Sequence, residues 1–282
     1  MRQLVCKKEQ TLLRFVRSMF PALTESMLRR ALRQRDLRVN GVRTGTDVCL
    51  HGGDIVEVYI DDRYLTPSVP VLYQDDRILV ADKPAGIAVE GAGGLCALLA
   101  ARLGAPLYPV HRLDVPTRGI VLMAKTPDCE KALLALFKDR MLTKQYQCIV
   151  LGAPPKRQGI VETGLNKNPK TALVTICAPH APGAKIAKTG YSVLDTREGR
   201  SLLKIDLFTG RTHQIRVHMA YLGCPILGDD KYGDRMANRR YGADQLALCA
   251  SYLALHPQSG PLRDLAGHVF KIDQPFEKEW NQ

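Results

Sequence analysis

What most restricts the fold of this chain is how its apolar residues are spaced after residue 70. The runs are short, and turn-forming residues separate them. Val71-Leu72-Tyr73 gives way to Gln74-Asp75-Asp76, Ile78 to Ala81 gives way to Lys83-Pro84-Ala85-Gly86, and Ile87-Ala88-Val89 follows. An apolar strand is expected at Ile120 to Ala124, and alternating segments lie at Gln145 to Val150, Thr189 to Leu194 and Leu203 to Phe208. Short apolar or period-two runs bounded by Gly, Pro, Asn and Asp read as strands joined by turns. Helical spacing is rarer. It is clearest at Thr126 to Phe137, where Thr126 is set to cap, Pro127 to take the first position, Asp128 and Glu130 to meet the positive end of the dipole, and Leu133, Leu134 and Phe137 to face inward. Strands outnumber helices without regular βαβ alternation, so the body is expected to be α+β with a mixed, mostly antiparallel sheet.

The first sixty residues follow another pattern. Leu12, Leu13, Phe15 and Val16, then Met27, Leu28, Ala31 and Leu32, recur at helical spacing, with Pro21 marking a break and Thr24 a new cap. The second helix carries Arg29, Arg30 and Arg33. After it come Leu37-Arg38-Val39-Asn40-Gly41, where Asn-Gly signals a tight hairpin, and an alternating strand from Asp54 to Ile60. This helix, basic helix and hairpin resemble the S4 RNA-binding domain. The resemblance implies a small N-terminal α/β domain that uses Arg29, Arg30, Arg33 and Arg38 on RNA; on residues alone they also fit a basic packing element with solvated arginines. At 282 residues the chain has room for this appendage and one larger domain. The expected boundaries are 1–62, a linker at 63–70, and 71–282.

Charge points to an anionic partner. There are 40 Lys and Arg against 28 Asp and Glu, a net of +12, and residues 1 to 50 alone hold 11 basic and four acidic side chains, a net of +7. Arg14 and Arg17 interrupt the only apolar stretch near the start, and no later run is long enough to cross a bilayer, so a cytoplasmic protein without a membrane partner is expected. The eight cysteines include no C-x-x-C pair, so no disulfide framework and no metal are expected. Gly91-Ala92-Gly93-Gly94 lacks the spacing of a nucleotide fingerprint. Asp75-Asp76 and Asp229-Asp230 read as turn residues, although paired carboxylates are also a Mg²⁺ donor set.

Candidate chemistry centres on Pro109-Val110-His111-Arg112-Leu113-Asp114-Val115-Pro116-Thr117-Arg118-Gly119, a loop feeding the Ile120 to Ala124 strand. A loop held by a rigid strand mounts a catalytic side chain well. Taken alone, Asp114 is equally a turn or capping aspartate. The loop resembles the His-Arg-Leu-Asp-x-x-Thr-x-Gly motif of RluA-type RNA pseudouridine synthases. Asp82-Lys83-Pro84-Ala85-Gly86, Lys144-Gln145-Tyr146, Thr209-Gly210-Arg211-Thr212-His213-Gln214-Ile215-Arg216 and Pro225-Ile226-Leu227-Gly228-Asp229-Asp230-Lys231-Tyr232-Gly233 follow in that family's order.

The resemblance implies an isomerase that flips a uridine out of structured RNA, breaks its nitrogen–ribose bond and rejoins the uracil through carbon 5. Ribosomal RNA of the large subunit is the first expectation, tRNA the second, and no cofactor is required. Asp114 would act as an ionised nucleophile or base. Arg216, on a helix expected from Thr212 to Leu222, would hold that charge; such a contact near 4 Å is worth on the order of 4 kcal/mol at an effective dielectric of about 20. Tyr146 would stack on the base and assist loss of the carbon 5 proton, and Arg112 would fill the gap the base leaves. His111, Arg211 and His213 would meet phosphate, and Lys83 would support the site from a turn. Without the resemblance, Arg216 reads as a solvated helix residue and Tyr146 as core. Arg118 and Cys249 depart from the family pattern, and Arg118 is a further candidate for phosphate. A non-catalytic RNA-binding or ribosome-assembly factor, or a hydrolase releasing uracil, are the other functions these residues leave open.

Overall fold

The Asn40-Gly41 turn forms as its chemistry dictates. Both residues take positive φ, 50° and 79°, and join β3 (Leu37–Val39) to β4 (Val42–Thr44) in register Val39 to Val42. In the computed structural model all residues are described except 21, 22, 24, 62–64, 66, 67 and 282; the side chains of 26, 278 and 281 are also left aside. The expected break at Pro21, the cap at Thr24, and residues 63, 64, 66 and 67 of the expected linker therefore lie outside the described residues. The chain divides into two units, Met1–Ser68 and Val69–Gln282.

In the first unit, β1 (Arg2–Val5), β3, β4 and β6 (Ile55–Val58) form a sheet in the order β1-β6-β3-β4, and β2 (Gln10–Thr11) pairs separately with β5 (Cys49–Leu50). The helices Leu12–Met19 and Glu25–Gln34 place Leu12, Leu13, Phe15, Val16, Leu28, Ala31 and Leu32 in one core with Leu37, Val56 and Val58. Thr11 caps the first helix by accepting from the Arg14 amide. Arg29, Arg30 and Arg33 are exposed. Arg29 is 2.9 Å from Glu25, and Arg30 donates to Gln34. Arg38 is different: half-buried, it lies 3.9 Å from Glu57 with its guanidinium 4.6 Å from the Tyr59 ring centroid, so it is engaged within the unit and not held open to a partner.

The second unit is α+β. Its mostly antiparallel sheet runs β13-β12-β14-β15-β11-β16-β10-β8-β7, with β17 beside β16 and β9 beside β10. These strands are β7 (Val71–Gln74), β8 (Ile78–Lys83), β9 (Tyr108–Pro109), β10 (Arg118–Ala124), β11 (Leu142–Leu151), β12 (Gln158–Lys167), β13 (Val174–Cys177), β14 (Lys185–Arg197), β15 (Arg200–Leu207), β16 (Leu248–Leu255) and β17 (Val269–Lys271). Residues 78–81 of β8 and 120–124 of β10 are apolar without interruption because both faces are covered. Leu79, Ala81, Val121 and Met123 pack with Leu95 and Leu99 of the Leu95–Leu103 helix. Ile78, Val80, Ile120 and Leu122 pack with Cys129 and Leu133 of the Pro127–Lys138 helix.

Several local expectations need correction. Ile87 to Val89 is not a strand, because after Gly86 the chain turns away towards the Leu95–Leu103 helix. Leu134 is 45% exposed, and the buried stripe is Leu133 with Cys129 one turn before it. Thr126 does cap that helix, accepting from the Cys129 amide at 3.2 Å.

β10 and β16 are parallel, with Arg118 against Cys249 and Gly119 against Ala250. The approach is so close that a Cβ on Gly119, whose φ is 117°, would lie 2.3 Å from the Ala250 carbonyl oxygen. Gly119→Ala is expected to cost at least about 2 kcal/mol, read as a lower urea midpoint, because backbone on both sides must move. An unchanged midpoint would contradict this.

Candidate active site

The loop between β9 and β10 is fixed from underneath. The Lys83 ammonium, fully buried at the end of β8, donates to the carbonyls of Ile87 at 2.8 Å, Pro84 at 3.0 Å and Val115 at 3.2 Å. Burial pulls its pKa down to about 8, opposed by the carboxylates of Asp114 and Asp82. Lys83 was expected to support the site from a turn, and to be among the residues meeting RNA; its three donors are spent on backbone, which ties the loop at Val115 to the turn after β8, so it supports the site and is not open to RNA. The Gly86 amide adds a bond to the Val115 carbonyl, and Thr117 closes a turn onto the Asp114 carbonyl.

His111 also differs from its expected role on phosphate. Just past the two-residue pairing of β9 with β10, the Leu122 amide donates to His111 Nε2 at 3.0 Å, and the ring stacks on Phe137 with centroids 5.0 Å apart. Burial, and then the neighbouring Lys144, push its pKa down to about 3, so the ring is a neutral acceptor that anchors the loop. Arg118 is not a phosphate contact either. It bonds the Pro275 carbonyl and Glu279, at 2.9 Å, and lies over the Phe276 ring, fastening the loop's exit to the C-terminal segment.

Asp114 is half-buried, and among the described residues no donor holds its carboxylate. It lines a cavity of about 320 Å³ together with Arg112, His111, Lys144, Tyr146, Arg211, His213 and Arg216. The volume is in the range of small-ligand sites, about 300–1,000 Å³. Tyr146 enters from β11, where the pairing with β16 slips: Gln145 faces Tyr252 but Tyr146 faces Ala250. A bulge of this kind re-aims a side chain beside a site. Burial, then the Asp114 carboxylate, raise the Tyr146 phenol well above the ordinary tyrosine value.

Arg216 reaches the cavity from the helix Gln214–Tyr221, which begins one residue later than expected, with His213 and not Thr212 at its cap. Its partner is also not the expected one. Arg216 Nε and Nη2 each lie 2.7 Å from a different oxygen of Asp229, in a buried two-point pair. Burial works against both charges. The pair outweighs it, holding Asp229 below the usual carboxylate range with help from the amides of Tyr232 and Lys231, and holding Arg216 up. Asp114 acts on Arg216 only through its field. Asp229 is thus both the turn residue that was expected and the residue that orients Arg216, which the sequence reading missed. The signal was present in Gly228-Asp229-Asp230-Lys231-Tyr232.

Tyr232 was missed as well. Its hydroxyl accepts from the Val174 amide at 2.9 Å and shares a 2.7 Å hydrogen bond with His213 Nδ1, while Arg216 lies 5.2 Å from its ring centroid. These contacts hold His213 at a φ of 53°, a costly conformation for a residue with a Cβ. Arg211 is exposed at the rim and donates from Nε to the Ile186 carbonyl.

Behind the cavity a polar network fixes the Gln214–Tyr221 helix. Gln214 accepts from Thr209 and from the Arg211 amide, and donates to Thr189 and the Lys188 carbonyl. The fully buried His218 bridges Thr189 at 2.9 Å and Thr163 at 3.0 Å. Burial lowers its pKa to about 4. Between the unfolded value near 6.5 and about 4 the unfolded chain binds the extra proton, so stability falls as pH falls through that window, by up to about 3 kcal/mol from this residue. Urea titrations at pH 7 and pH 4.5 should show the loss, and His218→Gln should reduce the difference between the two pH values.

Residues 77–221 match the family described as RNA pseudouridylate synthase. The chain is 32% identical over 271 residues to the ribosomal large subunit pseudouridine synthase C of Vibrio cholerae, covering 87% of this chain and 85% of that protein. It is 30% identical over 296 residues to the Rickettsia felis protein of the same name, covering 95% and 90%. Among solved structures, human RNA pseudouridylate synthase domain containing 4 aligns with a TM-score of 0.56 at 28% identity, over 66% of this chain and 83% of that one. The human domain containing 1 aligns with a TM-score of 0.63 at 24% identity, over 74% and 84%, a likeness of fold. Among the described residues no helix is long and apolar enough to cross a membrane. By the extent of the family match and the identity to full-length relatives, this chain belongs to the RNA pseudouridylate synthases, isomerases, in their RluA-type branch.

Proposed function

We propose that this chain converts uridine to pseudouridine in the large-subunit ribosomal RNA of the cytoplasm, with Asp114 as the catalytic carboxylate. The observation that carries this reading is the meeting of Asp114, Tyr146 and Arg216 in one cavity whose rim bears Arg112 and Arg211. The names of the bacterial relatives support the choice of RNA. A uridine flipped into the cavity presents its ribose C1′ to Asp114, which adds to the sugar or removes a ribose proton as the bond to nitrogen breaks. The uracil then turns and joins C1′ through carbon 5 as the bond from Asp114 to C1′ breaks, or as Asp114 returns the ribose proton; the carbon 5 proton then leaves to water and N1 takes one up. Tyr146 stacks on the base. Its raised phenol stays protonated, so it assists that last transfer through a water and not as a phenolate.

Arg216 contributes positive field at Asp114 while Asp229 fixes its plane. Arg112, exposed at the cavity mouth, takes the place of the extruded base. Arg211 and His213 meet the flanking phosphates. The S4-like unit at the N-terminus adds sequence-independent grip through Arg29, Arg30 and Arg33.

The test is to incubate the purified chain with a transcript of bacterial large-subunit ribosomal RNA and separate the digested nucleosides. Pseudouridine without free uracil is expected. Free uracil would indicate hydrolysis, and no product on this RNA but product on tRNA would overturn the substrate. Mapping pseudouridine in RNA from a strain lacking the gene then identifies the site.

A further inference from the structure

Glu9, Cys49 and His51 lie in the Met1–Ser68 unit and take no part in the site around Asp114. β2 and β5 pair antiparallel over two residues only, Gln10 with Leu50 and Thr11 with Cys49. Carried one step further, that register sets Glu9 opposite His51. Directly opposed residues share a face, as do residues two apart on one strand. Glu9, Cys49 and His51 therefore stand on the same side of the ribbon. A carboxylate oxygen, the thiol sulfur and an imidazole nitrogen from these three exposed side chains all lie within 4.8 Å of one another. Cys49 Sγ donates to Glu9 Oε1 at 3.7 Å, and Asp54 Oδ2 lies 4.0 Å from His51 Nδ1. Among the described residues no other three His, Cys, Asp or Glu side chains converge in this way.

We propose that Glu9, Cys49 and His51 bind a divalent transition-metal ion of the zinc class. One thiolate, one imidazole and one carboxylate make a mixed donor set that suits zinc, whereas Mg²⁺ and Ca²⁺ take all-oxygen sites. Three protein ligands leave a fourth position for water. Asp54, whose carboxylate lies 4.0 Å from His51 Nδ1 and accepts from the His51 backbone amide, adds negative charge beside the site. In the metal-free protein, local desolvation followed by the Glu9 and Asp54 charges pushes the Cys49 thiol up. A bound cation reverses that field, and the thiol proton is released to solvent as the sulfur–metal bond forms.

The ion would join the two sides of the shortest ladder in the unit, and that ladder carries the start of the first helix. Val48, next to Cys49, accepts from the Leu12 amide at 2.9 Å, and Asp47 accepts from the Leu13 amide at 2.8 Å. Clamping β2 to β5 therefore fixes the helix cap. Spacing along the chain gives no sign of these ligands, and no metal was expected, because it is strand register that brings them together.

The full chain, stripped with a chelator, is titrated with Co²⁺ as the spectroscopic probe and then with Zn²⁺. The expected result is one Co²⁺ per chain with a thiolate-to-cobalt charge-transfer band, release of about one proton per ion, and displacement by Zn²⁺ with a higher melting temperature. Cys49→Ser is expected to remove the band, and both Cys49→Ser and His51→Gln to weaken Zn²⁺ by about tenfold or more. Cys177→Ser, at a half-exposed thiol elsewhere, should change nothing. Circular dichroism confirms that the variants fold. A band that survives Cys49→Ser, an affinity unchanged in both ligand variants, or no stoichiometric binding would overturn the proposal. None of these outcomes bears on pseudouridine formation, which rests on the other unit.

Discussion

Asp114→Asn is expected to reduce pseudouridine formation by at least about a thousandfold, or about 4 kcal/mol of transition-state stabilisation, while RNA affinity stays within a few-fold of the parent. The carboxamide has the same shape but carries no charge, so it neither adds to C1′ nor accepts a ribose proton. Folding should be unaffected, because no donor among the described residues depends on that carboxylate. Single-turnover assays with nucleoside chromatography measure the first effect, and filter binding to the same transcript the second. Equal product from the variant would remove Asp114 from the mechanism. Loss of binding in parallel with activity would make it a recognition residue.

The second large effect is expected at a residue outside the cavity lining. Asp229→Asn leaves the buried Arg216 guanidinium without its two-point partner, and breaking a buried pair from one side costs about 3–5 kcal/mol. In a protein of this size that corresponds to a melting temperature lower by around 10 °C. The rate should fall as well, because Arg216 loses its fixed plane beside Asp114. Removing the guanidinium charge as well, as in Arg216→Met with Asp229→Asn, which keeps an oxygen for the Lys231 and Tyr232 amides, is expected to recover much of the stability and none of the activity. A double variant that regained the rate would show that the pair serves the fold alone.

How much was legible in advance depended on how local each cause was. The Thr126 cap and the Asn40-Gly41 hairpin rest on a few consecutive residues, and both formed where the sequence placed them. The mostly antiparallel character of the sheet was legible from strand spacing, although β12, β13 and β16 were not individually anticipated. The partner of Arg216 was missed because it lies 13 residues on, at the far side of a tight turn, and Asp114 seemed a sufficient explanation for the charge. Lys83 was expected to support the site, but its complete burial was not legible, for a related reason. A lysine after a strand is usually solvated, and only the arrival of the Val115 carbonyl, 32 residues later, closes a cage around it. Leu134 was counted as inward from helical spacing alone, which gives the stripe but not its width.

That carbonyl cage, with the Gly119 contact at the other end, has a consequence for how a target is chosen. A loop pinned at Val115 and again at Gly119 has little slack with which to follow the contours of a substrate. On the proposed mechanism, the strain of bringing sugar and carboxylate together then falls on the nucleic acid. Selection becomes a matter of mechanical compliance: uridines in weakly stacked or already distorted stretches yield first, and the neighbouring sequence is read by how readily it bends, without any side chain touching it.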